Sequence, residues 1–197
     1  MWRHNEILKI MAEVCNKQLE KINAGEKPKK NIQKKSIVFV KEGQKSYYKT
    51  KKKTKDDEDW DGEWKMEVDL PGNSFVFPVV PTIKRPDLVI WCEERKIVRL
   101  FELTIPFEDN INAAEVRKLD SYEKLVDECE EAGWNAECRT VEVGCRGFIG
   151  WRMKKFLNFL GLGKKCELAI IRRMQETIEK ASHWIWLKRE DATWKES

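Results

Sequence analysis

Two runs of β-branched and apolar residues, separated by a short charged turn, constrain this chain more than any other feature. Arg85-Pro86-Asp87-Leu88-Val89-Ile90-Trp91 and Ile97-Val98-Arg99-Leu100-Phe101-Glu102-Leu103-Thr104 flank Glu93-Glu94-Arg95-Lys96 and read as a β-hairpin. A loop of two or four residues gives one register, with Cys92 opposite Ile97 and Asp87 directly opposite Glu102 on one face of the sheet; a three-residue loop would break it. Directly opposed like charges repel, so the arrangement calls for a cation, and a divalent metal is the natural candidate.

The rest of the chain must supply a core for that hairpin. With 197 residues, 41% of them hydrophobic and nine of them tryptophan, it has enough apolar mass for one domain, read here as residues 1–190, and no sign of a second. The absence of a signal-peptide pattern or an apolar stretch of membrane-spanning length (about 18 residues) predicts a soluble intracellular protein without a membrane partner. Six cysteines without a C-x-x-C pair, and only two histidines, argue against structural zinc and for buried reduced thiols. A net charge of +4 is compatible with a nucleic-acid partner without requiring one.

Ile7, Leu8, Met11, Val14, Cys15, Leu19 and Ile22 predict an amphipathic helix from about Trp2 to Ala24, and Ser36 to Val40 a short strand. The dense lysines from Lys49 to Lys55 meet Asp56-Asp57-Glu58-Asp59, opposite-sign blocks that predict a solvated mobile loop over 42–63. Trp64 to Leu70 alternates as a strand does, and Phe75 to Val80 is also read as extended. After the hairpin, Asp109 or Asn110 caps a helix running to about Ala132, where Gly133 stops it. Glu137 to Val143 is a further strand, with Cys138, Thr140 and Glu142 on one side. Helices over Trp151 to Leu160 and Cys166 to Lys188 follow, then a tail from 191 to 197. This order suggests a mixed sheet flanked by helices, in the α/β or α+β class.

The helix after the hairpin carries an anomaly. Its apolar stripe Ile111, Ala114, Tyr122, Leu125, Cys129 is interrupted by Lys118, one turn before Tyr122. A lysine on a buried face is costly unless its ammonium meets a partner, and the hairpin carboxylates are the obvious one. Two acidic residues, a main-chain carbonyl and waters suit Mg²⁺ or Mn²⁺. An adjacent lysine can orient water and offset charge on a phosphate, which completes the minimum parts for metal-assisted phosphodiester hydrolysis.

Arg85-Pro86-Asp87, Glu102-Leu103-Thr104 with Pro106-Phe107-Glu108, and Lys118 with Tyr122 resemble the restriction-like endonuclease domain of non-LTR retrotransposons, within the PD-(D/E)XK nuclease superfamily. The resemblance extends to Trp2-Arg3-His4-Asn5, to Val141-Glu142-Val143-Gly144-Cys145-Arg146-Gly147 and to Trp184-Ile185-Trp186, and so covers most of the chain. It implies an α/β fold with a restriction-endonuclease-like core of helix, three strands, helix and strand. Asp87 and Glu102 would bind the metal, Lys118 would position the attacking water, and Tyr122 would brace the lysine or a phosphate. Thr104 stands where the superfamily's E-x-K lysine would be; a K-x-x-x-Y pattern on the next helix, which Lys118 and Tyr122 match, is similar to a relocated lysine. The resemblance further implies nicking of target DNA to prime a neighbouring reverse transcriptase domain, and a nuclear location. Without that neighbour, the chain is expected to be a fragment, a degenerate copy or a host gene derived from an element.

Singly, each residue also has a structural explanation. Asp87 can belong to a Pro-Asp turn, and Lys118 can snorkel past the core edge. Glu6 and Glu13 border the first helix's apolar face and either complete a metal shell or are solvated; Glu142 could reach the same face. Arg146 contacts phosphate or holds Glu142. His4 reads as a cap or core contact, and Trp134, Trp151, Trp184 and Trp186 as core and rim packing, with base stacking the lesser option. The rival to an active nuclease is a nucleic-acid-binding module that keeps the fold without turnover; a third reading is a protein-interaction scaffold built on the Trp-rich end.

Overall fold

The helical stripe near the start of the chain forms α1 (Trp2–Asn23), and Ile7, Leu8, Met11, Val14, Cys15, Leu19 and Ile22 are all buried. The computed structural model describes residues 2–26, 28, 60–107 and 110–191, with side chains at all of these except 111–114. The Ser36 to Val40 strand, the Lys49 to Lys55 run, most of the 42–63 loop, the Asp109 cap and all of the tail but Asp191 lie outside the described residues.

After α1 come β1 (Trp64–Val68), β2 (Leu88–Cys92), β3 (Ile97–Thr104), α2 (Ile111–Glu131), β4 (Asn135–Glu142), α3 (Trp151–Phe159) and α4 (Lys164–Leu187). The strands form one mixed sheet in the order β1-β2-β3-β4, antiparallel except for the parallel β3–β4 pair. The hairpin loop holds Glu93 to Lys96 and the register is the expected one, Cys92 opposite Ile97 and Leu88 opposite Phe101. Lys96 takes the left-handed conformation (φ 51°) that closes this turn.

Every residue of β3 is buried, because both faces of the sheet are covered. Leu88, Ile90, Cys92, Phe101 and Leu103 pack under α1, α3 and α4, whereas Val89, Val98 and Leu100 pack under Tyr122, Leu125 and Cys129 of α2. The result is an α/β architecture, a mixed four-stranded sheet flanked by helices. Gly133 (φ 82°) ends α2, with its own N–H and that of Trp134 donating back into the last turn.

Some expectations do not hold. Phe75 to Val80 forms no strand; Phe77, Val79 and Val80 pack instead as a loop over the α2-side core. Asn110 precedes α2 without a side-chain cap bond. The end of the expected mobile loop is packed, with the Trp60 ring 4.6 Å from Trp64 and 4.9 Å from Phe159. Only Cys15, Cys92 and Cys129 are buried; Cys138 and Cys145 are half-buried, and Cys166 is exposed at the start of α4. The tryptophans, by contrast, divide between core and rim as expected: Trp134 is buried, and Trp151, Trp184 and Trp186 are at least half exposed on the outer faces of α3 and α4. Among the described residues, no helix is long and apolar enough to cross a membrane.

Candidate functional site

The β2–β3 ladder stops at Leu88 and Phe101, and beyond it side chains take over the backbone's bonding. The Leu103 N–H donates to Asp87 Oδ2 at 2.8 Å, and the Asp87 N–H donates to Glu102 Oε1 at 3.1 Å. Each carboxylate thus holds the other's strand. The approach to Asp87 is fixed as well: the Tyr122 hydroxyl donates to the Arg85 carbonyl at 3.0 Å, and the Arg85 guanidinium pairs with Asp69 through two bonds of 3.1 and 2.5 Å.

Lys118 reaches this point from α2. Its ammonium lies 2.6 Å from Glu102 Oε2, with the lysine side chain 38% exposed and the glutamate 1% exposed, so the lysine connects a buried charge to solvent. Burial and the nearby Asp87 charge push the Glu102 carboxyl up, while Lys118 and Tyr122 pull it back. Burial would lower Lys118, but its bond to Glu102 outweighs this and holds it above its ordinary range, so it carries its proton at neutral pH. Burial, then the Glu102 charge, also raises the Tyr122 phenol.

On the other side of Asp87 stands His4, from the first turn of α1. Its Nε2 is 3.3 Å from Asp87 Oδ2 and 3.2 Å from the Leu103 carbonyl oxygen. Burial would lower the imidazole, yet the Asp87 carboxylate raises it overall. The repulsion between the two acids is therefore offset by the protein's own Lys118 and His4, and the carboxylate pair does not by itself require a metal.

The structure brings Asp87, Glu102, Lys118 and Tyr122 together from β2's approach, β3 and α2. The Tyr122 hydroxyl braces the main chain ahead of Asp87 through the Arg85 carbonyl and also acts on Glu102, the partner of Lys118. The supporting residues fall elsewhere. Glu6 pairs with Lys9 on the helix surface, and Glu13 pairs with Arg173 of α4 at 2.7 Å, tying two helices together. Arg146 lies over the Phe107 ring, and it is Arg152 that holds Glu142, at 3.2 Å, while also pairing with Glu115. The sequence reading set His4 aside and missed Arg152. His4 continues the α1 stripe one turn before Ile7 and Leu8, a polar residue on a buried face, which is the same signal that marked Lys118.

Among the described residues, no group of three or more His, Cys, Asp or Glu side chains is placed to hold a metal ion. The donor types nonetheless fit a hard cation, since Asp87 Oδ2 and the Leu103 carbonyl oxygen converge on one point, marked by His4 Nε2. Mg²⁺ is commonly held by one or two carboxylates with several waters, not by an all-protein cage. No protein-family model matches the chain, and no curated protein matches it.

Glu142 is a separate buried acid. Thr140 and Arg152 satisfy its Oε1, but its Oε2 has no hydrogen-bond partner among the described residues and Gly150 is pressed against it, leaving no room for a side chain there. Burial raises its carboxyl despite Arg152, so the folded state binds this proton more tightly than the unfolded one. The stability tied to Glu142 is fully present below the ordinary carboxylate pKa and is lost as pH rises through the raised value. Glu142→Gln should therefore raise stability at pH 7 by roughly 1 kcal/mol and flatten its decline with rising pH. Urea unfolding at pH 4.5 and pH 7 checks both; equal slopes in the two proteins would remove Glu142 from the account.

Proposed function

We propose that this chain is a metal-dependent DNA endonuclease domain with a restriction-endonuclease-like core, of the kind found in non-LTR retrotransposons. The observation that carries the reading is the 2.6 Å contact of Lys118 with Glu102, at the sheet position opposite Asp87. Three ionisable residues from three segments meet at one end of the sheet, in the pattern that the E-x-T and K-x-x-x-Y spacing leads one to expect. The element order of helix, three strands, helix and strand supports the same reading.

Asp87 and Glu102 would hold Mg²⁺ or Mn²⁺, with the Leu103 carbonyl beside them. A divalent cation there supplies Lewis-acid stabilisation of a phosphodiester and a more acidic water. Glu102 keeps Asp87 in place through the Asp87 N–H, and Tyr122 fixes the preceding turn through Arg85. Lys118, charged and partly open to solvent, orients the attacking water and offsets the charge that develops on the phosphate. For DNA contact, exposed Trp151 at the start of α3 carries Arg152 at 4.7 Å and Lys155 at 4.5 Å, a cation–aromatic surface suited to phosphates and unpaired bases. In its parent element, such a domain would nick target DNA in the nucleus to prime a reverse transcriptase.

Incubation with supercoiled plasmid tests this directly. Nicking is expected with Mn²⁺ but not with chelator, and Asp87→Asn is expected to slow it to a small residual rate. DNA binding without nicking selects the module that kept the fold and lost turnover, and no DNA binding selects a protein-interaction scaffold.

A further inference from the structure

β4 lies at the edge of the sheet, and its outer side is recessed between two helices. The Asn135 N–H donates to the Lys96 carbonyl, so the odd-numbered residues of β4 direct their main-chain groups to β3, and those of Cys138 and Thr140 point outward. There α2 and α3 flank the strand and leave a cavity of about 170 Å³, floored by Phe101, Val141 and Phe156 and walled by Leu119. Drug-sized ligands occupy pockets of about 300 Å³ or more, so this one suits a single flat ring system, whose polar edge the outward N–H and C=O groups can meet.

At the mouth stands Trp151, more than half exposed, with the Lys155 ammonium 4.5 Å and the Arg152 guanidinium 4.7 Å from its ring centre. The acids nearby do not oppose an anion, because Glu115 pairs with Arg152 and Glu137 with Arg139. An apolar slot with an exposed aromatic ring and two cations at its entrance matches one nucleotide: the base takes the slot and the phosphate takes the cations. Thr140 is also the register partner of Glu102, which sets the cavity beside the strand next to the proposed metal carboxylates, about 5 Å across the sheet.

We propose that this cavity takes one unpaired base of the DNA, stacked against Trp151, so that the chain prefers DNA with an extruded or single-stranded nucleotide to a continuous duplex. The inference rests on the DNA-binding reading above and deepens it to the form of the substrate. A base in a continuous duplex must first be unstacked, a cost that an already unpaired nucleotide does not carry.

Fluorescence anisotropy with the full chain and chelated metal, so that nothing is cut, tests this on three short duplexes of one sequence. The first is fully paired, the second carries one unpaired nucleotide, and the third has the same unpaired position abasic. The abasic duplex keeps the flexibility of a bulge and lacks only the ring. The wild type is expected to bind the base-bearing bulge at least about fivefold more tightly than either control. That ratio should fall to about one in Trp151→Ala, at an exposed position where the fold is not at stake, and in Leu119→Trp, which fills the cavity and leaves Trp151 in place. Equal affinity for the bulged and abasic duplexes, or a preference that survives either substitution, would overturn the base site, and nicking of plasmid by the same protein in Mn²⁺ would leave the nuclease reading standing. A base preference in a protein that nicks nothing would keep the base site and overturn the nuclease. A wild type that binds none of the three duplexes would overturn both.

Discussion

Lys118→Ala is expected to slow single-turnover DNA nicking by about 10² or more at saturating Mn²⁺, with DNA affinity nearly unchanged. The reason is positional. Lys118 supplies a partly exposed cation 2.6 Å from Glu102, so its removal would take charge from the phosphate in the proposed reaction without touching Trp151, Arg152 or Lys155 on α3. Saturating Mn²⁺ matters because deleting a cation beside Glu102 also changes metal affinity. Lys118→Met distinguishes chemistry from packing, since Met matches the stem and lacks the charge. A folded Met variant that nicks at the wild-type rate would reduce Lys118 to a packing residue.

Phe101→Ala should have the largest effect on stability, a loss of about 3–5 kcal/mol. The ring is 1% exposed and lies 4.9 Å from Phe156 and 5.6 Å from Phe159, so it fastens the central strand to α3. It also immediately precedes Glu102. Truncation there leaves a cavity under the strand that carries Glu102, so the proposed nicking activity should fall together with the unfolding free energy. Urea denaturation measures the first effect. A loss under about 1 kcal/mol would mean that α3 closes over the gap and contributes little to holding the strand.

The site's frame was legible where local rules act alone. Strand alternation and the charged turn set the register that puts Asp87 opposite Glu102, and a broken helical stripe marked Lys118. What could not be read depends on how distant elements meet. His4 faces Asp87 only because α1 packs its first turn against the end of the β2–β3 ladder, a contact spanning 83 residues. Arg146 and Arg152 flank the same glycine-bearing turn, and spacing does not reveal that α3 carries the second of them back to Glu142. Tyr122 was placed on the correct face, but its acceptor is the Arg85 carbonyl, a backbone atom with no signature in sequence. Core and rim were both expected for the tryptophans, but which ring takes which place was not legible, because a helix can present large rings such as Trp151, Trp184 and Trp186 outward when its other face already fills the core.

The central claim is that Asp87 and Lys118 act through Glu102 as one catalytic unit. Residues that act as a unit do not lose activity additively. Single-turnover nicking rates for the wild type, Asp87→Asn, Lys118→Ala and the double variant, all in saturating Mn²⁺, measure this directly. The account predicts that the double variant is about as slow as the slower single variant. Losses that multiply, or single variants that nick as fast as the wild type, would contradict it.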